Sequence, residues 1–225
     1  MSGTFVAILV VFAASIGIQF WLNRTYANWS RVANSLGVTG AQVARAILDS
    51  NGLTQVRVEE IPGQLSDHYH PIEKVVRLST NNYRQPSVAA AAIAAHECGH
   101  AIQDARSYAP LVMRQRLLPA LSISSMLWFW IFLAGMLLGS LGLAQLGVIL
   151  FALVAAFHLI TLPVEFNASS RALTILQNNG ILQGPELNGG RKVLTAAAMT
   201  YVAGLAAALA QLIHMLAITG VLSEE

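Results

Sequence analysis

Two histidines four residues apart, His96 and His100, stand in the run HECGH. The surrounding stretch, Ser87 to Ala105, is rich in alanine and predicts a helix. Because residues four apart lie on one face of a helix, both imidazoles can reach one metal ion. Glu97 lies at the edge of that face, where its carboxylate can bind a water held by the metal. This pattern predicts a single zinc ion and metal-assisted hydrolysis, with Glu97 as the catalytic base.

The HExxH pattern by itself is only moderately specific, since a solvated helix can carry two histidines four apart by chance. Its context favours a metal site, because the alanines from Ala89 to Ala95 form a smooth helical approach and Gly99 permits close packing. Cys98 points away from both histidines, which predicts a small packing residue and not a ligand. It is also the only cysteine of the chain, so no intramolecular disulfide is expected.

Catalytic zinc usually has three protein ligands and a water, so a third ligand is expected elsewhere in the chain. Glu165 is the candidate, because it follows Pro163 at the predicted end of an apolar span and opens a helical stretch. A lone carboxylate in such surroundings needs a partner, and a metal supplies one. Asn167 and Ser169 could then orient the ligands by hydrogen bonds. The alternative is a solvated carboxylate favoured by a helix N-terminus.

The remaining histidines compete for the same role. His68 and His70 alternate with Tyr69 and would share one face of a strand, so one of the three could approach the zinc and stabilise an oxyanion. Ordinary surface or turn positions explain these residues equally well. His158 and His214 fall inside apolar runs, where an interior histidine held by hydrogen bonds is the commoner role.

The composition predicts an integral membrane protein, because 55% of residues are hydrophobic, 11% are charged and the mean hydropathy is +0.58. Four apolar runs are each long enough to cross a bilayer core of about 30 Å. The first could instead be a signal peptide, but it lacks a basic N-terminal region. The last could be a buried soluble helix, but it is long and free of charge. The predicted spans are Thr4–Leu22, about Leu118–Leu138, about Leu143–Leu162 and about Val193–Ile218.

Basic residues are confined to two segments of the chain. Asn23–Leu117 holds ten Lys and Arg, and Val164–Lys192 holds the other three. The positive-inside rule therefore predicts that both segments face the cytoplasm and that both termini lie outside. The HECGH run is in the first segment, so its site is expected in the cytoplasm or at the cytoplasmic face of the membrane. The pI of about 8.9 reflects this bias and does not argue for nucleic acid.

The segment after the first span predicts a small α+β region. Thr39 is the expected N-cap of a helix that Asn51-Gly52 ends, and alternating apolar residues predict short strands. An exposed sheet edge could hold an extended peptide by main-chain hydrogen bonds, or the strands could merely cover the metal helix. Gly189-Gly190 is a predicted hinge into the fourth span. The expected elements are a membrane-surface helix over Tyr26–Leu36, a helix over Gly40–Ser50, and strands over Gln55–Glu59, Leu65–Tyr69 and Lys74–Ser79.

Together these elements predict a mainly α membrane protein. It has about four transmembrane helices and a small cytoplasmic zincin-like α+β catalytic region with a short antiparallel sheet. The expected segments are 1–22 (first transmembrane helix), 23–117 (catalytic region), 118–162 (transmembrane hairpin), 163–192 (cytoplasmic helix with the third ligand) and 193–225 (fourth transmembrane helix and tail).

The sequence resembles the YugP-like neutral zinc metallopeptidases, a family of small bacterial membrane proteins. The resemblance covers most of the chain and rests on TGAQVARAILDSNGL, LSDHYHP, KVVRLS, AAHECGHAIQ and LPVEFNASSRAL. It implies His96, His100 and Glu165 as zinc ligands and Glu97 as general base. The plan is similar to that of HtpX-type membrane proteases, in which two spans separate HExxH from the glutamate ligand.

Two positions depart from these patterns. His70 stands where the YugP-like family usually has an aspartate, so no role of that carboxylate transfers to this chain. Ser169 stands where HtpX-type enzymes carry an acidic residue four positions after the glutamate ligand. The second departure concerns the surroundings of the ligands and leaves the ligands themselves unchanged.

The residues and the resemblance together predict an integral-membrane zinc metalloendopeptidase that cleaves membrane or membrane-proximal proteins at the cytoplasmic face. A non-catalytic membrane scaffold braced by zinc is the first alternative, and a small transporter using His158 and His214 is the second. The expected partners are a protein or peptide substrate and membrane lipid, with no nucleic acid. Gly and Ala faces of the spans would also allow packing against another membrane protein or a second copy of the chain.

Overall fold

The computed structural model describes residues 2–220, and the protein is mainly helical. Met1 and the predicted tail after residue 220 lie outside the described residues. Within residues 2–220 the elements are α1 Ser2–Ser30, α2 Gly40–Ser50, β1 Arg57–Ile61, β2 His68–His70, β3 Val75–Ser79, α3 Thr80–Arg84, α4 Val88–Ala105, α5 Ala109–Leu137, α6 Leu141–Asn178 and α7 Gly184–Ile218.

Four of the described helices are long and apolar enough to cross a membrane. They are α1 over Gly3–Ser30 and the whole of α5, α6 and α7. Each contains one of the four apolar runs found in the sequence. The prediction of four membrane-spanning helices is therefore confirmed at the level of helix length and composition.

The first span does not stop where the sequence suggested. Helix α1 continues to Ser30, and the chain turns and bends after it, so the separate surface helix predicted over Tyr26–Leu36 is wrong. The apolar side chains that suggested a surface helix are used for packing instead. Tyr26 is 1% exposed and donates a hydrogen bond of 3.0 Å from its hydroxyl to Asn82 Oδ1.

Two predicted interruptions of long helices are also wrong. Helix α6 runs through Pro163, because a long apolar helix tolerates the loss of one backbone donor when its neighbours compensate. Glu165 therefore lies inside a helix and does not begin one. Gly189 lies within α7, where an added Cβ would come 2.4 Å from ring atoms of Trp29. This glycine serves close packing and not hinge motion.

The chain divides into two compact units, and the long helices contribute to both. Within the described residues, the first unit comprises 2–18, 112–163 and 200–220. Its buried apolar side chains come from α6 and α7 and include Val148, Phe151, Ala155, Ala208 and Met215. The second unit comprises Gln19–Leu111 and Val164–Met199, and it contains the sheet and helices α2 to α4.

Helix α2 in the second unit has the ends that the sequence predicts. Thr39 is its N-cap, and its side chain accepts a hydrogen bond from Gln42 N while the Gln42 side chain returns one to Thr39 N–H. Gly52 follows the helix with φ of +72°, a conformation that glycine adopts without strain. The apolar face of α2 enters a core that it shares with the alanines of α4.

The three short strands form a mixed sheet in the order β1-β3-β2. Strand β3 is central and buried, β1 pairs with it in parallel, and β2 pairs with it antiparallel. The predicted short antiparallel sheet is therefore correct for one of its two strand pairs and wrong for the other. Because β1 and β2 do not pair, both are edge strands. Helix α4 packs against β2 and β3, which places β2 as the edge beside the metal helix.

Candidate metal centre

The HECGH run lies near the middle of α4, as predicted. Ser87 is the N-cap of α4, and its hydroxyl accepts a hydrogen bond of 3.1 Å from Ala90 N. The seven residues from Ala89 to Ala95 are all buried. This packing fixes α4 in the centre of the second unit and fixes the directions in which His96 and His100 project.

Glu165 of α6 completes a cluster with the two histidines. The Nε2 atoms of His96 and His100 are 3.2 Å apart. Glu165 Oε2 lies 3.3 Å from the first and 3.5 Å from the second. A tetrahedral zinc ion with metal–ligand distances of about 2.0–2.1 Å keeps its ligand atoms about 3.3–3.4 Å apart. The three atoms thus already have the mutual spacing that a tetrahedral zinc ion requires.

The outer nitrogen of each imidazole has a partner of its own. His96 Nδ1 is 3.1 Å from Ser169 Oγ, and His100 Nδ1 is 3.0 Å from Gln103 Oε1. The Gln103 amide is oriented because its Nε2 donates to the Val164 carbonyl at 2.8 Å. Its oxygen must then face His100, which assigns the Nδ1 proton to that imidazole.

This assignment leaves Nε2 of His100 as the atom that faces the Glu165 carboxylate. A proton on Nε2 makes that contact an ion pair in the metal-free protein, and a metal ion can take the place of the proton. Imidazoles that bind zinc are held by the same kind of outer hydrogen bond. The outer partner of His100 therefore fits a zinc ligand as well as the spacing does.

Gln103 is a functional candidate that the sequence analysis missed. It is fully buried, and it also donates to Asn167 Oδ1 at 3.0 Å. A signal was present, because Gln103 lies three residues after His100 on the same helix face. The predicted supporting role of Ser169 has direct geometric support. Asn167 lies one step further from the centre, where it contacts Gln103.

Replacing Gln103 with Leu is expected to weaken zinc binding by about 10–100-fold, the usual effect of losing an outer partner of a ligand. The reason is that His100 loses the acceptor that fixes its tautomer and ring orientation. Competition with a fluorescent zinc chelator measures the affinity. Gln177→Leu, at an exposed position of α6, is the matched control. Equal affinity of Gln103→Leu and the wild type would contradict the role.

Helices α4 and α6 approach closely at the centre because Gly99 has no side chain. An added Cβ would lie 2.8 Å from the Ala168 carbonyl oxygen and 3.2 Å from its Cα. These are backbone atoms, so one helix would have to move. The predicted close packing of Gly99 beside the site is therefore observed, with α6 as the partner.

Gly99→Ala is expected to destabilise the protein by about 1–3 kcal/mol and to weaken zinc binding, since it separates the helices that carry the ligands. Thermal unfolding and zinc affinity are the measurements. Gly142→Ala is the control, because an added Cβ in that part of α6 meets nothing within 4 Å. If both variants behave alike, close approach at Gly99 does not matter to the centre.

Glu97 is the remaining ionisable group at this turn of α4. Its side chain is buried, with 7% of the residue exposed. Burial raises the pKa of the Glu97 carboxyl above its ordinary value, while the charges of His96 and His100 act in the opposite direction. A carboxyl with a raised pKa beside a metal centre is suited to accept and return a proton.

The other residues that the sequence raised lie in different surroundings. The Tyr69 hydroxyl donates a hydrogen bond of 2.7 Å to Asp104 Oδ2 on α4. His68 is exposed, with Nδ1 2.9 Å from the Ser66 carbonyl oxygen, and His70 lies near Glu73. Within residues 2–220, the group of side chains able to hold a metal contains none of these three residues.

Cys98 and the two histidines of the apolar runs also lie outside the metal-binding group. Cys98 is buried, and its Sγ is 3.5 Å from the Ala44 carbonyl oxygen, as expected for a packing residue. In the first unit, His158 packs on Gly204, and His214 Nδ1 is 2.8 Å from Thr4 Oγ1.

The fold and the site together define a mainly helical protein with four helices able to cross a membrane and a His–His–Glu centre suited to zinc, in which Glu165 is buried and the two histidines are partly exposed. The chain belongs to the family described as "Putative neutral zinc metallopeptidase", which it matches over residues 4–220. It is 47% identical over 209 residues to the "Putative membrane protease YugP" of Bacillus subtilis (strain 168), covering 91% of this chain and 93% of that protein. No solved structure matches the chain. The resemblance drawn from the sequence is confirmed.

Proposed function

We propose that the protein is an integral-membrane zinc metalloendopeptidase that uses His96, His100 and Glu165 as metal ligands. The observation that carries the proposal is the set of three donor atoms, 3.2–3.5 Å apart, on the two helices that pack at Gly99. A zinc ion bound there would lower the pKa of a water and polarise the scissile carbonyl. The family and the name of the relative support zinc, protease chemistry and membrane association.

Within this proposal the side chains of the centre have separate tasks. Glu97 accepts the proton of the attacking water and passes it to the leaving amine. Ser169 and Gln103 hold the two imidazoles in the orientation that directs both Nε2 atoms to the centre. No side chain is required as a nucleophile, so no acyl-enzyme is expected.

The first test is removal and return of the metal. Purified protein should contain about one zinc per chain and cleave casein; a chelator should abolish the cleavage, and added zinc should restore it. A protein that holds zinc but cleaves neither casein nor a membrane protein would favour the scaffold, in which the metal only joins α4 to α6. A protein that binds no zinc would overturn the assignment of the ligands.

We further propose that the edge strand β2 binds the substrate as an added strand. Its supports are its position as the edge beside α4 and the bond from Tyr69 to Asp104, one turn beyond His100. Lys74, the residue before β3, also forms an ion pair with Asp104. Through these two contacts, Asp104 joins β2 and the connection from β2 to β3 to α4, the helix that carries His96 and His100.

Tyr69→Phe removes this tie while keeping the ring, so KM is expected to rise by about 3–10-fold with kcat less affected and zinc content unchanged. Without this bond, β2 can shift relative to the metal, and such a shift is enough to raise KM. Steady-state kinetics on a fluorogenic peptide measures both constants, with Tyr108→Phe as control. An unchanged KM would show that the bond does not position the substrate.

We also propose that the metal centre faces the cytoplasm, on the strength of the basic residues of Asn23–Leu117 and Val164–Lys192. Ile72, in the connection from β2 to β3, is 87% exposed and offers a place for a probe. In intact cells, an Ile72→Cys protein should resist a membrane-impermeant maleimide, and it should react after lysis. Cys98 is buried and gives little background. Labelling of intact cells would reverse the orientation.

A further inference from the structure

A cavity separate from the metal centre lies in the second unit, between residues of α1 and α7. Its volume is about 490 Å³, within the range of roughly 300–1,000 Å³ found for ligand sites. None of its lining residues belongs to the metal centre. They are Trp21, Thr25, Asn28, Trp29, Val32 and Lys192.

The walls of the cavity are built by close packing. The Trp29 ring lies against Gly189, where a side chain would come within 2.4 Å of ring atoms. The Lys192 ammonium is 5.9 Å from the centre of the same ring. Tyr26 and Val193 belong to one buried cluster and are each 1% exposed. This cluster holds the two helices together and fixes the aromatic ring beside the cation.

The lining residues of the cavity lie near the ends of two apolar runs, where the sequence becomes polar. The apolar run of α1 ends at Leu22, and that of α7 begins at Val193. Trp21 therefore lines the cavity from the membrane side of one boundary, and Lys192 lines it from the polar side of the other. Tryptophan and lysine are the residues that anchor proteins at the interface between lipid and water. Lipid headgroups lie in the same interfacial layer of a bilayer as such residues.

The positive charge around the cavity is not neutralised within residues 2–220. Lys192 forms no ion pair with any described residue. The same is true of Arg24, Arg31 and Arg191, which are neighbours of lining residues in the sequence. The lining contains no carboxylate. Basic residues at a membrane surface attract anionic lipids.

We infer that this cavity binds the headgroup of one anionic phospholipid, with Lys192 against the phosphate and Trp21 beside the start of the acyl chains. The inference does not depend on protease activity, because its readout is lipid retention. A phosphate group could also come from free inorganic phosphate, so the two sources need separate measurements.

The experiment is lipid retention by the purified full-length protein, measured by native mass spectrometry after exposure to phosphatidylglycerol or phosphatidylcholine in mixed micelles. The wild type should retain one phosphatidylglycerol in preference to phosphatidylcholine. Lys192→Ala should bind it about fivefold more weakly, the effect of one surface cation, and Lys192→Arg should restore binding. Arg106→Ala, which removes an exposed cation outside the cavity, should bind like the wild type.

Besides displacement by phosphate, three results of the retention experiment would overturn the inference. They are equal retention of the two lipids, undiminished retention by Lys192→Ala, and equal weakening by Arg106→Ala. Inorganic phosphate at millimolar concentration should not displace the lipid, because the apolar wall at Trp21 adds affinity that a free ion lacks. Full displacement by phosphate would identify a simple anion site and reject the lipid.

Discussion

Glu97→Gln is expected to lower the rate of peptide cleavage by about 10²–10⁴-fold while the zinc content stays unchanged. The amide has the shape of the carboxylate but cannot take a proton from water at neutral pH. Glu97 is not among the three donor residues of the metal-binding group, so its replacement leaves the ligand set intact. The measurements are kcat/KM on casein-derived peptides and zinc by elemental analysis.

The matched control for this change is Glu60→Gln, which alters a carboxylate of β1 that pairs with Arg84 of α3. Such a surface pair contributes little to stability, so this variant should cleave like the wild type. If Glu97→Gln retains full activity, another group is the base. If it loses zinc together with activity, Glu97 belongs to the ligand set or supports it, and the division of roles is wrong.

Local signals explain why much of the metal helix was predictable from the sequence. The alanines, the Ser87 cap and the four-residue spacing of the histidines all act within α4. Helix α2 was predictable for the same reason, since its capping residues are three positions apart. Glu165 was identified as a carboxylate in apolar surroundings, which requires no knowledge of the fold.

The errors concern contacts between residues that are distant in the chain. Strand alternation shows which residues form strands but not that β3 lies between β1 and β2. Gly189 suggested a hinge because the position of the Trp29 ring, on another helix, is not visible in the sequence. Gln103 was overlooked because its orientation depends on the Val164 carbonyl of α6, 61 residues away.

A second large effect is expected at Glu165, the ligand that α6 contributes to the centre. Glu165→Gln is expected to weaken zinc binding by more than the roughly 10–100-fold that follows loss of an outer partner, because it removes a charged ligand itself. With zinc at about 100 times its dissociation constant, the wild type gains about 2.7 kcal/mol of stability. For a chain of this length, that gain corresponds to a rise in Tm of about 5–10 °C. The variant should gain almost nothing under the same conditions.

The metal-free proteins provide the control for misfolding in this comparison. Glu165 is 2% exposed, and its replacement also removes a buried contact with both histidines, so the response to zinc is measured from each protein's own metal-free Tm. Glu186→Gln changes a partly exposed carboxylate of α7 that accepts hydrogen bonds from Ser35, and it should keep the full response to zinc. A Glu165→Gln protein with wild-type zinc affinity would show that the third ligand lies elsewhere. In that case the donor spacing across α4 and α6 would reflect an ion pair of the metal-free fold and not a metal centre.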